Sequence, residues 1–293
     1  MKTQESNSIG TKSKIGERLV YISMRIITYI IVFFIAYIII DVIIKGFPVI
    51  SWSFLTTSPE KSGAEGGIFP AIVGSFYLVI GAVIVAFPLG ILSAIYLSEY
   101  AKTNKLTQLI RMAIVTLAGV PSIVFGLFGL GLFVITLNFG SSILSGSLTL
   151  ACLILPTIIV ASEESLKAVP QYMREGSLAL GATKWQTIYK NVLPYALPGM
   201  LTGSILALGR AAGEAAPILL TAAAFFLPEL PSSIFDQVMA LPYHLYILAT
   251  QHPDAQKILP MQYGTALVLL LLVLLLNLTA IIVRIKVRKK HKW

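Results

Sequence analysis

Residues 170–198 read PQYMREGSLALGATKWQTIYKNVLPYALP, a polar, amphipathic stretch set between two strongly apolar segments of the chain. Pro170 suits the first position of a short helix, and Gly181 suits the left-handed cap that ends it. Beyond the glycine, Trp185, Ile188, Tyr189 and Val192 recur at helical spacing and fall on one face of a second helix. A helix-glycine-helix bracket between apolar segments is a docking surface on a membrane face.

The rest of the chain supplies the membrane. Hydrophobic residues make up 56% of the 293 residues and charged residues only 12%, about half the charge that a soluble domain carries. Stretches long and apolar enough to span a bilayer lie at 21–44, 69–97, 112–137, 146–166, 197–226 and 263–285. The expected fold is all-α: a polytopic membrane protein of six transmembrane helices with both termini on one side. Residues 1–18 form a mobile polar tail, 19–286 the six-helix domain with the bracket in its 167–198 loop, and 287–293 a basic tail.

Basic residues fix the orientation, because Lys and Arg beside spanning segments stay on the cytoplasmic side. With the termini inside, every Lys and Arg lies in an inner segment except Lys45, Lys61, Lys257 and the intramembrane Arg210. Both tails and the 167–198 loop are therefore expected in the cytoplasm. The net charge of +9 belongs to this topology and not to nucleic acid, since the charges flank apolar segments and do not interleave with aromatics. No cleaved signal peptide is expected, because the first apolar segment is too long for one. Cys152 is the only cysteine, which excludes disulfide frameworks and cysteine metal sites.

Two outer connections are long, at 45–68 and 227–262. The second holds Tyr243, His244 and Tyr246 in an apolar stretch interrupted by Pro242, expected to lie along the membrane interface as an aromatic belt. Prolines at 88, 121, 156 and 217 interrupt the spans, and Gly199–Gly203 and Gly209–Gly213 have the spacing of close helix contacts.

One constellation is chemical. Arg210 and Glu214 stand deep within the fifth span in LALGRAAGEAAP; Arg210 is about 13 residues in, roughly 20 Å along and near mid-membrane. A charge there is costly. Either Glu214, one turn on, neutralises it within the bundle, or an aqueous path crosses here and the guanidinium meets an oxyanion whose oxygens match its planar donors. The small residues around the pair, Gly209, Ala211, Ala212, Gly213, Ala215 and Ala216, leave room for a passing solute. Glu214 can also accept the proton of hydrogen phosphate, which sulfate lacks near neutral pH.

The bracket resembles the cytoplasmic EAA loop of ABC importer permeases, with Glu175, Gly181 and Leu193-Pro194 at the family's spacing, although Gly176 and Ser177 replace two alanines. The resemblance implies a type I permease fold and a coupling helix seated on an ATPase through Glu175, Leu178, Ala179, Gly181 and Ala182. This chain has no GxxxxGK[ST] phosphate loop, so it is expected to be no enzyme: ATP and Mg would be used by a separate ATPase, with no cofactor here. GGIFPAIVGSFYLV (66–79), GVPSIVFGLFGLG (119–131), the 181–226 run and ALPYHLYILATQ (240–251) are similar to PstA-type phosphate permeases. That implies a bacterial inner-membrane assembly with a PstC-type permease, two ATPase copies and an extracytoplasmic phosphate-binding protein, with Arg210 in the position associated with phosphate passage. The alternatives are a permease for sulfate or molybdate, and a membrane enzyme acting on lipid phosphates. The second needs clustered His, Asp or Ser at one face, and His244, His252 and His291 are scattered.

Overall fold

The computed structural model describes residues 3–63, 65–253 and 255–290, with side chains described for 17–61, 63, 65–253 and 255–289. Its elements are α1 (Thr3–Gly46), α2 (Trp52–Thr56), a two-residue hairpin of β1 (Pro59–Glu60) and β2 (Glu65–Gly66), α3 (Phe69–Ile95), α4 (Lys105–Ala118), α5 (Ser122–Gly129) and α6 (Ile143–Lys167). There follow α7 (Gln171–Ala179), α8 (Lys184–Thr187), α9 (Leu193–Gly213), α10 (Ala216–Leu219), α11 (Leu241–Thr250) and α12 (Leu259–Lys290). Among the described residues five helices are long and apolar enough to cross a membrane, and a sixth span exists only as a broken pair.

That pair corrects the third span. The expected helix over 112–137 is split: Lys105–Ala118 and Ser122–Thr136 meet at 104°. Gly119-Val120-Pro121 makes the corner, since Pro121 bars a helical donor and disfavours helix at the residue before it. The fifth span is also corrected, because α9 ends at Gly213 and Glu214 adopts an extended conformation (ψ 122°), so the expected 197–226 helix stops within the bilayer. Pro88 and Pro156 are carried inside α3 and α6, whereas Pro121 and Pro217 mark breaks. Residues 3–18, expected as a mobile tail, are polar as read but continue α1 back to Thr3. No proline stops the helix there, and extending an existing helix costs little per residue.

The core is the α3–α6 seam. Gly74, Leu78, Ala82, Ala86, Gly90 and Ala94 recur every fourth residue on α3, and all are buried. In a bilayer such contact is driven by van der Waals packing, which small residues permit by letting backbones approach. A Cβ on Gly90 would lie 2.5 Å from the Ile158 Cγ2 of α6. Phe125 of α5, Ala207 and Ala211 of α9, and Ile218 of α10 close the same cluster. Gly199 and Gly203 pack against Ser165 and Ala161 of α6, confirming close contact at that pair. Ala211 and Ala212 are buried in the bundle, so they do not leave the room for a solute expected of them.

The chain after α10 returns into the bundle to cap α6. Ser142 N–H, Ile143 N–H and Leu144 N–H donate to the carbonyls of Thr221 (2.9 Å), Asp236 (2.9 Å) and Ile234 (3.0 Å), while the Ser142 hydroxyl accepts from Ser145 N–H. The open donors of the α6 terminus are thus satisfied by irregular backbone buried in protein. α11 follows and is not an interfacial belt: Leu241, Pro242, His244, Ile247 and Leu248 are buried, with Tyr246 left at the surface. The hairpin loop covers it, and Gly63 (φ +90°) brings its backbone against the His244 ring.

Two outcomes follow. Gly74→Ala pushes a Cβ into the Met239 carbonyl oxygen and should destabilise the assembled protein by about 1–3 kcal/mol. Gly131→Ala meets nothing within 4 Å and should leave the thermal midpoint unchanged; equal behaviour of the two contradicts the packing described. His244 is 2% exposed, neither ring nitrogen has a hydrogen-bond partner among the described residues, and desolvation lowers its pKa to about 4. Above pH 6.5 both folded and unfolded imidazole are neutral and the penalty is absent. Between pH 6.5 and 4 the unfolded state takes the proton first, so stability falls with pH, by about 3 kcal/mol across the window. His244→Phe should flatten that slope in pH-dependent melting curves.

Candidate coupling surface and intramembrane arginine

The bracket folds as two helices joined at Gly181. The chain enters α7 at Pro170, which is the residue before the first helical position and not the first position itself. Gly181 (φ +83°) ends it: Gly181 N–H donates to Leu178 O at 2.9 Å and Ala182 N–H to Ser177 O at 3.2 Å, the paired bonds of a Schellman cap. Thr183 and Gln186 then form a capping box that starts α8. The helix runs on from Lys184 to Gly213 through a π-helical turn at Ile188–Val192. That turn separates the expected face. Ile188 and Val192 are buried, whereas Trp185 and Tyr189 stack on each other at 6.2 Å on an exposed strip, because the wider turn that holds Ile188, Tyr189 and Val192 changes the angular step between them.

Arg174 fastens α7 to the spans. Its Nη2 donates to Glu99 Oε1 at 2.7 Å and its Nε to Glu99 Oε2 at 3.3 Å, a two-point guanidinium-carboxylate pair with partners 14% and 8% exposed. Its Nη1 donates to Val169 O at 2.7 Å and its Nη2 also to Leu166 O at 2.8 Å, so it closes the α6 terminus as well. Nearby, Arg111 of α4 donates to Leu97 O at 2.7 Å and faces Glu163 at 2.8 Å. That contact to Glu163 is off line for a hydrogen bond, which makes it an ion pair without a directed bond. Lys184 lies over the Tyr100 ring at 4.8 Å. The ends of α3, α4, α6, α7 and α8 are thereby joined.

The outward face of the bracket is exposed. Glu175, Leu178, Ala179 and Gly181 are exposed, and Ala182 is half-buried. Glu175 has no ion-pair partner among the described residues. Leu180, which sequence reasoning missed, is 90% exposed and Tyr172 71%. Such apolar knobs beside free charge are the composition of an interface. The Glu99–Arg174 pair was also missed, since a contact across 75 positions leaves no spacing signal.

Arg210 stands in the last turn of α9, where the open carbonyls favour a cation. Glu214 meets it through Nε alone at 3.4 Å, with side chains 37% and 22% exposed. The pair is made but loose, and it leaves the outer donors of the guanidinium to the groove between α9 and α12. Gly209 is filled by Asn277 of α12, and Gly213 faces open space.

Residues 86–290 match the family described as binding-protein-dependent transport system inner membrane component. The chain belongs to that family, the permease subunits of ABC importers. It is 36% identical over 252 residues to a probable ABC transporter permease protein, YqgI, of Bacillus subtilis, covering 82% of this chain and 85% of that one. Phosphate transport system permease protein PstA 1 of Mycobacterium tuberculosis is 36% identical over 228 residues, 78% and 72% of the two chains. Among solved structures, a bacterial alginate ABC transporter with its periplasmic protein shares the fold at a TM-score of 0.65 and 14% identity, over 89% of this chain and 92% of that one.

Breaking a buried pair on one side costs about 3–5 kcal/mol, because the remaining charge stays buried. Glu99→Ala and Arg174→Ala should each lower the thermal midpoint of the complex, and the double variant should cost clearly less than both together. Strict additivity in that double-mutant cycle contradicts the clamp.

Proposed function

We propose that this chain is a permease subunit of an ATP-driven importer of inorganic phosphate in the bacterial cytoplasmic membrane, with both termini in the cytoplasm. It shares the path with a PstC-type permease. Two copies of a separate ATPase serve the permease pair, and one of them seats α7 and its flanking turn, with Glu175, Leu178, Ala179, Gly181 and Ala182 at the contact and Leu180 as an added apolar anchor. An extracytoplasmic binding protein delivers the ion at the opposite face. ATP and Mg act on the ATPase chains.

The observation that carries the substrate reading is Arg210. A guanidinium held by one 3.4 Å contact, at the broken end of a spanning helix, keeps its planar donors for an oxyanion. The PstA relative at 36% identity supports phosphate as that oxyanion. A single arginine with a carboxylate beside it binds weakly, which suits a site that must release. Glu214 is placed to accept the proton of hydrogen phosphate.

Transmission follows from the clamp. When the ATPase pair closes on ATP, displacement of α7 passes through Arg174 to Glu99 of the helix continuing α3 and to the last carbonyls of α6. Those two helices form the packed core of the bundle, so the permease moves as a body and not by local bending.

ATP-driven uptake of labelled phosphate into proteoliposomes holding the whole complex tests both points. Phosphate uptake should resist excess sulfate and fall by about tenfold or more in Arg210→Ala, the scale of one lost charge-assisted contact. Glu214→Gln should narrow the preference for phosphate over sulfate. Full uptake by Arg210→Ala makes the arginine structural, and an active complex that carries only sulfate or molybdate overturns the phosphate reading.

A further inference from the structure

Between α6, α9 and α12 lies a groove of about 930 Å3 whose largely apolar wall carries two guanidiniums, one amide and the hydroxyls of Thr157 and Thr202. Arg210 and Arg284 both line it, and Asn277 lies at the level of Gly209, the residue before Arg210. Arg284 follows Asn277 by seven residues on α12, two turns and about 10 Å along the same face. It has no ion pair or hydrogen bond among the described residues. Asn277 fills the space beside Gly209, where a Cβ would lie 3.1 Å from both its amide nitrogen and its oxygen. Its Oδ1 is buried and accepts no hydrogen bond from the described residues. A buried acceptor without a donor costs stability, and two guanidiniums line the groove with no carboxylate among its lining residues, Glu214 meeting Arg210 loosely from outside it.

This lining defines its ligand. The cations call for an anion, and the guanidinium fork matches the oxygens of phosphate. The unpaired Asn277 acceptor calls for a donor, which hydrogen phosphate provides through its P–OH. The walls between, Leu206, Val273 and Ile281, also suit an acyl chain, so a phospholipid headgroup is a second source of the same oxyanion.

We propose that this groove is a phosphate-oxyanion path of two stations, Arg210 with Asn277 as its amide and, two turns on toward the basic end of α12, Arg284 as the second cation. The inference rests on the reading of Arg210 as part of a phosphate path. Two stations about 10 Å apart give the ion a place to go when it leaves Arg210, so that neither site has to bind tightly.

The test uses the complete complex in proteoliposomes of phosphatidylcholine alone and of phosphatidylcholine with phosphatidylglycerol, with labelled inorganic phosphate as the probe. Parent, Asn277→Leu, Arg284→Gln and Arg284→Lys are compared for KM, maximal rate, ATP hydrolysis and phospholipid retained per complex. With the transported ion as ligand, Arg284→Gln lowers the maximal rate about tenfold in both membranes. KM, set at capture, stays unchanged, ATP hydrolysis continues, and Arg284→Lys recovers part of the rate. Asn277→Leu shows the same split, which a merely destabilised helix would not. With a lipid headgroup as ligand, the parent retains phospholipid that Arg284→Gln loses, and the rates differ only in the phosphatidylglycerol membrane; the oxyanion site stands with its source identified. Parent-like rates and parent-like lipid in both Asn277→Leu and Arg284→Gln overturn the site. A parent complex that hydrolyses ATP while carrying a different oxyanion defeats the phosphate reading alone, and the same variants assayed with that oxyanion still decide the groove.

Discussion

The bidentate pair between Arg174 and Glu99 is the contact on which the mechanical reading depends. A short surface helix such as α7 has no buried residue of its own and is too short to be stable by itself. It is held by Met173 packed on the core, by the Thr187 hydroxyl bonded to Ser177, and by one guanidinium that spends its donors on Glu99, Val169 and Leu166. Those acceptors belong to the helix that continues α3 and to the end of α6, the two most intimately packed spans. Because both partners are largely withdrawn from water, the pair resists the solvent screening that makes an exposed ion pair weak. A helix held in this way is a handle on the core of the bundle.

The core is suited to being moved as a unit. The small-residue stripe of α3 against α6 gives close backbone contact, and densely packed seams shift between discrete arrangements more readily than they deform. The helices are broken elsewhere, at the 104° corner between α4 and α5 and after Gly213. Arg210 sits beside that second break. The proposed path residue and the end of a broken helix thus occupy the same place, so rearrangement of the bundle would change what surrounds the guanidinium.

Much of this was legible in the sequence. The apolar runs and the basic flanks gave the membrane class, and Pro170 and Gly181 gave the helix-turn-helix bracket because each acts through its own backbone. Arg210 and Glu214 were visible because charge is rare in a span. The rest was hidden for physical reasons. An apolar window records composition and not direction, so it joined α4 to α5 across Gly119-Val120-Pro121 and carried α9 beyond Glu214. The burial of His244 depends on Gly63, far away in the chain. The π-helical turn that separates Trp185 and Tyr189 from Ile188 and Val192 breaks the period that sequence patterns assume. Glu99 and Asn277 matter only through partners on other helices, a relation that no local motif encodes.

The most direct test of the central claim is whether α7 and α3 move together. With Cys152→Ser as background, spin labels at Tyr172 of α7 and Tyr77 of α3, both exposed, report the distance between the surface helix and the core in the assembled transporter. Pulsed electron resonance would be recorded without nucleotide and with ATP trapped. The account predicts the same distance in both states, and a distribution that broadens when Glu99 is replaced by Gln. A change of about 5 Å in the parent, one turn of one helix past another, would contradict rigid transmission and place the coupling motion between α7 and the bundle.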